Sequence, residues 1–381
     1  MLLYALIILI IILATVYLYY KVKHQFWSRQ PVFHIHNIWY WYDPPGIIQK
    51  EKPEMNKFYK ADIEFDNFNN ISIEKRALLI DFIKNNYLPD KVEKYVPSEK
   101  SITNYFSGHI DKSFISLHYK NRFSNNKIIS CMTTRPLECY INNEKFTLYY
   151  VDYLCVHQKE RKKGIAPITI YSHYVNHRCQ HDNTVFFFKR EGDTTLIVPL
   201  MIYKTYFFDI SRWDKNVTFD QSYIFTYKLS KQNSTSYMQL LKLIKEKFSC
   251  VITPVISNLM HLCSEKELII TILNVTKEDQ CIYIFRDPHI TYKGKRSIEL
   301  ITSFNNNQSK EVFALGMFNS IKMINEEKEF NILLIEDTGD NNMILKVILN
   351  RYDSFLKTVA SYYFYNYANY PLQSNDVFCL N

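Results

Sequence analysis

Apolar positions follow three patterns along this chain, and each pattern predicts a different element. The first is an unbroken run. Met1–Tyr20 carries no charged side chain, and Leu2–Val16 is almost wholly apolar, which is the length of a helix that crosses a bilayer. Tyr17, Tyr19 and Tyr20 continue it as an interfacial aromatic belt. Lys21, Lys23, His24 and Arg29 follow the run, whereas a cleaved signal peptide is basic first and has a shorter apolar core. The expectation is an uncleaved anchor, with the body on the cytosolic side by the positive-inside rule. A buried core helix is the alternative, although such helices usually keep a polar stripe.

Helical and alternating patterns come next. His24–Lys60 is irregular and punctuated by Pro31, Asp43-Pro44-Pro45-Gly46 and Pro53, as in an extended arm. The spacing of Ile73, Leu78, Leu79, Phe82 and Ile83 predicts an amphipathic helix over Ile73–Tyr87, and Pro97–Phe106 reads as a shorter one. A strand meander follows: Ser113–Tyr119, a turn at Asn125-Asn126, Ile128–Thr134, Leu137–Ile141, a turn at Asn142-Asn143, and the long apolar Phe146–Val156. Ile165–Arg178 is helical, with Ile165, Ile168, Ser172 and Val175 on one face, and Val185–Phe188 returns to strand. Past residue 215 the flavour repeats. Helices are expected at Ser236–Phe248 and Val312–Ile324, and strands at Leu268–Leu273, Cys281–Phe285 and Phe330–Ile335. This order predicts an α+β fold with mixed sheets. The expected division is an anchor at 1–20, an arm at 21–60, and halves at 61–215 and 216–381.

Composition narrows the partners. Hydrophobic residues make up 47% and charged residues 22% of 381, the balance of a folded chain with a sizeable core. The net charge of +8 suits a polyanionic partner: a phosphate-bearing cofactor, a nucleic acid or an anionic membrane face. The lack of a long Lys/Arg block and of basic-aromatic motifs argues against nucleic acid. The eight cysteines are dispersed with no CxxC, so free thiols in a reducing compartment are expected rather than a disulfide framework.

The densest chemistry lies at Val151–Pro167, VDYLCVHQKERKKGIAP. An apolar strand ends at Val156, then come Lys159, Arg161, Lys162 and Lys163, and Gly164 opens a helix. A helix N-terminus presents unpaired N–H groups and partial positive charge, and a glycine lets its backbone approach phosphates closely. The segment therefore reads as a pyrophosphate site. A plain strand–turn–helix with a solvated basic turn is the competing reading.

The ordered pattern of strand, Arg-x-x-Gly-x-Ala and helix is similar to the CoA-binding motif of the GNAT superfamily. Tyr153–Pro167 more closely resembles the corresponding segment of the N-myristoyltransferases (glycylpeptide N-tetradecanoyltransferases). Gln25-Phe26-Trp27-Ser28-Arg29-Gln30-Pro31-Val32 looks like that family's CoA-contacting arm, and Tyr362–Tyr367 resembles its Tyr-Tyr-Leu-Tyr-Asn-Trp near the C-terminus. The resemblance implies two tandem GNAT-like halves behind the anchor. It implies transfer of a long acyl group, myristoyl above all, from acyl-CoA as co-substrate to the N-terminal glycine amine of a protein, by a monomer with no tightly bound cofactor and no metal. It places the CoA contacts at Gln25, Phe26, Trp27, Tyr153, Leu154, Cys155, Val156, Arg161, Lys162, Lys163, Gly164, Ile165 and Ala166. It gives the backbone N–H groups of Tyr153 and Leu154 to an oxyanion hole, and makes the terminal carboxylate, here on Asn381, the base.

Departures fall on the acceptor side. The family has Asn at Asp152, Thr at Arg190 and a peptide-lining His at Phe208, beside Tyr206. Asp152, Arg190 and Tyr206 are therefore the candidate acceptor contacts, and the changes fit either a shifted peptide preference or a non-catalytic acyl-CoA-binding relative. A GNAT enzyme using a short acyl-CoA is a further alternative. Three other clusters have plainer expectations. His173, His177 and His181 share a helix face as a solvated or half-buried stripe rather than a zinc site. Glu336, Asp337 and Asp340 could form a carboxylate cluster that binds an acceptor amine, but a solvated loop is the default expectation. Cys155 is a packing thiol without a positioned base.

Overall fold

The computed structural model describes residues 2–87, 93–120, 127–192, 196–213, 225–229, 234–274 and 280–381. The expected turn at Asn125-Asn126 and the expected boundary near residue 215 lie outside the described residues. The helices are α1 (Leu2–Lys23), α2 (Ile38–Tyr42), α3 (Ile73–Asn86), α4 (Glu99–Thr103), α5 (Ile165–Gln180), α6 (Ser234–Lys247), α7 (Ile256–Ser264), α8 (Lys310–Glu327) and α9 (Asn341–Ile348). The apolar side chains of α1 are exposed along its length, and only its last turns touch the body. There the Tyr20 hydroxyl lies 3.1 Å from His34 Nδ1, and the rings of Tyr17 and Tyr20 meet His36.

Strands from the whole chain join one mixed sheet, where two were expected. Along its main path the order is Val377–Cys379, Cys250–Thr253, Ile128–Ile141, Glu144–Val156, Val185–Glu191, Leu356–Tyr365, Met201–Asp209, Ile332–Glu336, Lys295–Phe304, Gln280–Arg286, Leu268–Asn274 and Phe225–Lys228. Strands from before and after residue 215 interleave. Cys250–Thr253 pairs with Ile128–Ile141, and Leu356–Tyr365 lies between Val185–Glu191 and Met201–Asp209. Three neighbouring pairs are parallel. One of them joins Leu148–Tyr150 to Val185–Phe187 and no further.

Several elements depart from expectation for definable reasons. Ile128–Thr134 and Leu137–Ile141 are a single strand that runs through Pro136. One edge of this strand pairs with Phe114–Tyr119 up to Thr134 and with Cys250–Thr253 from Glu138 onward. Pro136 thus falls between partners on that edge, where a missing N–H is tolerated. In α3 the buried face is Leu79, Ile80, Phe82 and Ile83, whereas Ile73 and Leu78 point outward. The sheet meets the later turns of that helix, and Ser72 caps its start by accepting from the Lys75 N–H. In α5 the buried stripe is Thr169, Ser172, His173, Val175 and His177 with Tyr171, Tyr174 and Arg178, and Ile165 and Ile168 are only half-buried. The Asn142-Asn143 turn is as expected, with both residues at positive φ.

Behind the later strands, α8 packs closely enough that Gly316 has no room for a side chain. A Cβ there would collide with the Tyr283 hydroxyl and with Leu273 at 2.7 Å, and Tyr283 is itself fixed by donating to the Phe313 carbonyl at 2.7 Å. Gly316→Ala is expected to lower stability by about 1–3 kcal/mol, the usual cost of overpacking, read as a drop in calorimetric melting temperature.

Candidate active site

The site begins where two parallel strands separate. Glu144–Val156 and Val185–Glu191 are hydrogen-bonded only at 148–150 and 185–187. Beyond Tyr150 the first strand stays with Ile128–Ile141, and beyond Phe187 the second stays with Leu356–Tyr365. Opposite the gap, Asp152 and Tyr153 together face the single residue Thr133, which makes a bulge that re-aims their side chains. The opening holds an apolar cavity of about 450 Å³, walled by Trp27, Met132, Val151, Leu154, Ile170 and Phe188 among others. Trp27 is held there by stacking on Phe188. A polar chamber of about 220 Å³ adjoins it, and Tyr87, Tyr150, Asp152, Lys189 and Glu191 line both spaces.

The cationic loop leads from this strand to α5. Gly164 precedes that helix at φ +77°, a left-handed conformation that suits glycine. No side chain caps α5, and its third residue is Pro167. The N–H groups of Ile165 and Ala166 therefore have no partner within the helix and no side-chain cap. Arg161 has another task. Its Nη2 donates to the Asn86 carbonyl at 2.8 Å and its Nε to the Val156 carbonyl at 3.2 Å, so it braces the loop against the end of α3. Lys163 and Lys120 both pair with Glu160, whose carboxyl their hydrogen bonds hold down to about 2. Lys162 is exposed at φ +64° without an ion-pair partner among the described residues. In the arm, Phe26 is buried against Trp27 and Phe58, and Gln25 is exposed and accepts from Lys57 Nζ at 2.7 Å.

Charges in and behind the chamber come in buried pairs. Arg135 Nε donates to Asp152 Oδ1 at 2.9 Å, Arg286 donates through Nε and Nη2 to Glu299 Oε2, and Lys189 Nζ meets Glu336 Oε1 at 3.1 Å. Glu336 lies in the interior at the end of its strand, not in a solvated loop, and also accepts from the Tyr203 hydroxyl at 3.0 Å. Asp340 is likewise buried, with Lys247 as its partner. Burial, with the negative charge of Glu299 added, pushes the Glu336 carboxyl up to about 7. Burial works on Glu299 in the same sense, but Arg286 and Lys189 outweigh it and leave that carboxyl below its ordinary value. Asn381 is buried beyond a short strand that runs parallel to Cys250–Thr253. Its main-chain oxygen accepts from Arg286 Nη1 at 3.1 Å, and its side chain accepts from the Tyr362 hydroxyl.

Three sequence assignments need correction. Strand alternation turns Thr205 and Phe207 into the chamber, whereas Tyr206 packs against the opposite core and Phe208 is buried within it, one position out of register with the expectation. The Tyr153 N–H is engaged by Thr133 Oγ1 at 3.1 Å rather than free for an oxyanion, and the Tyr153 ring instead faces the chamber with its hydroxyl 2.7 Å from that of Tyr95. The histidine stripe, expected to be solvated or half-buried, is fully buried at His173 and His177 and half-buried at His181. His173 lies within hydrogen-bond distance of Ser116 and Thr134, and burial lowers it to about 3. Elsewhere, Arg190 reaches the wall of the apolar cavity. Cys155 packs in the α3 core, where burial raises its thiol to about 12.

Lys189, Arg286 and Glu299 are not singled out for the chamber in the sequence, whereas Glu336 is named there as a carboxylate that could bind an acceptor amine. Their signal was present: each lies in or ends an apolar strand, and Glu299 is a lone charge between Ile298 and Leu300. Because the folded Glu336 carboxyl keeps a proton that an unfolded carboxyl of 4.5 has lost, its contribution to stability falls as pH climbs from 4.5 towards 7. Calorimetry across that window should find the melting-temperature difference of wild type over Glu336→Gln shrinking as pH rises.

Comparison with known proteins gives this geometry a relation. Residues 47–186 match the family described as Myristoyl-CoA:protein N-myristoyltransferase, N-terminal domain. A curated relative, a putative glycylpeptide N-tetradecanoyltransferase 2 of Arabidopsis thaliana, is 26% identical over 162 residues. That alignment covers 40% of this chain and spans 36% of the relative's length. In fold, the chain is similar to Saccharomyces cerevisiae N-myristoyltransferase with bound myristoyl-CoA, at TM-score 0.70 and 12% identity over 92% of this chain and 90% of that one. It also resembles a tandem GNAT protein from the clavulanic acid biosynthesis pathway, at TM-score 0.52 and 11% identity over 82% of this chain and all of that one. Residues 47–186 thus match the N-myristoyltransferase N-terminal domain in sequence, and the chain shares the fold of an N-myristoyltransferase over nearly all of its length.

Proposed function

We propose that this chain is a membrane-tethered N-acyltransferase that moves a long acyl group, myristoyl above all, from acyl-CoA to the N-terminal glycine amine of a protein. The observation that carries the reading is the junction of an apolar cavity with a polar chamber at the parted strands, beside the uncapped start of α5. The CoA pyrophosphate would lie at the N–H groups of Ile165 and Ala166 with Lys162 nearby, where the helix terminus favours anions. The acyl chain would enter the cavity past Trp27 and Leu154, and the acceptor would come through the chamber. A two-carbon acyl group needs no apolar cavity of about 450 Å³, which favours the long chain over acetyl. We assign the thioester oxygen to the backbone at Leu154. We also read residues 61–215 and 216–381 as two GNAT-like halves whose strands interleave.

The terminal carboxylate of Asn381 would serve as a base. Arg286 would aim it by donating to its main-chain oxygen, and burial removes competing water. Labelled myristate supplied as its CoA thioester should pass to glycine-initiated peptides. A C-terminal extension that blocks this carboxylate should cut transfer by about 10²–10⁴-fold, the usual contribution of a positioned acid or base. Transfer that survives the extension unchanged removes the terminal base, and tight CoA binding with no transfer to any peptide favours the non-catalytic relative.

The tether reading rests on α1 and gains support from α2. Rising about 1.5 Å per residue, α1 travels roughly 25 Å from Leu3 to Tyr20, close to the thickness of a bilayer's hydrocarbon. At that level Tyr17 and Tyr20 pack against His34 and His36, and α2 starts two residues later. Its Ile38, Trp39 and Tyr42 are 76%, 81% and 84% exposed, an apolar and aromatic surface of the kind that sits among lipid headgroups. In liposomes carrying the full chain, brominated lipids should quench tryptophan emission, and the quenching should be largely lost in Trp39→Phe/Trp41→Phe. The five Asn-x-Ser/Thr sequons at Asn70, Asn216, Asn233, Asn274 and Asn307 report the side of the membrane, and endoglycosidase sensitivity would place the body in the lumen.

A further inference from the structure

We infer that Asp152 is the carboxylate that receives the acceptor's ammonium group and takes its first proton, an assignment that rests on the N-acyltransferase reading above. The argument starts from position. Of the five residues that line both the apolar cavity and the polar chamber, only Asp152 and Glu191 are carboxylates. Glu191 is exposed at the end of its strand, whereas the Asp152 side chain is nine-tenths buried. Any amine that is to meet a thioester must do so where the two spaces join.

Hydrogen bonding separates Asp152 from the other buried acids in and behind the chamber. Glu299 is held by Arg286, and Asp287 by Arg296, Lys328 and His289. Glu336, behind Lys189, has that lysine and Tyr203. Asp152 uses one oxygen only. Its Oδ1 accepts from Arg135, and its Oδ2 is buried with no partner, the one carboxylate oxygen in that condition among the described residues. Buried carboxylate oxygens are ordinarily satisfied. An oxygen left open at the meeting point of two cavities fits a ligand that brings its own N–H donors and positive charge. The guanidinium of Arg135 anchors the carboxylate without closing it, and is itself held between the rings of Tyr105 and Tyr150 at 5.1 and 5.4 Å. Burial raises the Asp152 carboxyl above its usual value despite Arg135, which makes it a stronger base than an exposed aspartate.

Proton bookkeeping gives a second carboxylate work to do. An α-amine of pKa about 8 arrives mostly as ammonium at neutral pH. Its nitrogen must lose one proton before it can attack and another before it becomes an amide. Asp152 takes the first, freeing the lone pair. The C–N bond then forms at the thioester carbon and the C–S bond breaks. The nitrogen gives up its second proton to the Asn381 carboxylate, the CoA thiolate leaves and takes one proton as CoASH, and the other passes to solvent.

Binding and turnover test this separately. With the protein loaded with a nonhydrolysable thioether analogue of myristoyl-CoA, calorimetry would compare a glycine-initiated octapeptide with its des-amino analogue. Wild type should prefer the amine at least tenfold, and Asp152→Asn should lose the preference while binding the CoA analogue as before. In turnover, Asp152→Asn should lower kcat by about 10²–10³-fold and raise KM for the peptide but not for acyl-CoA. Its residual rate should climb with pH as the free amine deprotonates, and Asp152→Glu should recover part of the loss. A wild type that binds both peptides equally, or an Asp152→Asn enzyme with unchanged kcat and pH profile, overturns the inference. A wild type that selects the amine yet transfers no acyl group leaves the ammonium site standing and removes the acyltransferase reading instead.

Discussion

Everything at the candidate site depends on a parallel strand pair that stops after three residues. Had Glu144–Val156 and Val185–Glu191 stayed hydrogen-bonded, their side chains would have closed over one another and left neither cavity nor chamber. They part because each is claimed on its other side: the first by the bulged ladder to Ile128–Ile141, the second by Leu356–Tyr365. The backbone groups released by the parting are available to a ligand. The side chains at the lip, Asp152 and Leu154 on one strand and Lys189 to Glu191 on the other, face the space that opens between them. The uncapped end of α5 follows from the same strand, because the cationic loop carries the chain directly from the lip to the helix.

The chamber shows how a folded chain keeps so many charges out of water. A buried carboxylate or cation alone is costly, and a paired one roughly breaks even. Arg135–Asp152 and Arg286–Glu299 are each nearly neutral as pairs, and Lys189 donates to Glu336, whose carboxyl burial pushes up to about 7. Lys189 and Glu336 come from strands far apart in sequence, so that contact forms only when the sheet is assembled, whereas the other two pairs join neighbouring strands across 17 and 13 residues. They fix the wall of a polar space more than they stabilise the fold. The proton retained by Glu336 serves the same economy, since two neighbouring buried acids cannot both be ionised cheaply.

What the sequence revealed follows from how local each signal is. The strand–loop–helix at Val151–Pro167, the Asn142-Asn143 turn and the order of elements were legible, because turn chemistry and periodicity act over a few residues. The single strand through Pro136 was not, since only the change of neighbour beside it makes the proline harmless. Tyr206 and Phe208 were placed one residue out of register, and in a strand one residue reverses the face. Arg161, expected among the CoA contacts, donates to the carbonyls of Asn86 and Val156, partners that no local pattern announces. The solvated reading of Glu336 failed for want of Lys189, a partner 147 residues away.

The interleaved sheet has a mechanical consequence. In many two-lobed enzymes the lobes swing about a linker to admit a substrate. Here Cys250–Thr253 is stitched to the N-terminal strands and Leu356–Tyr365 is clamped between Val185–Glu191 and Met201–Asp209. A hinge at the boundary would have to tear these ladders. Any gate over the chamber must therefore be a matter of individual side chains and short connections at its rim, and the body behind it should melt as one cooperative unit.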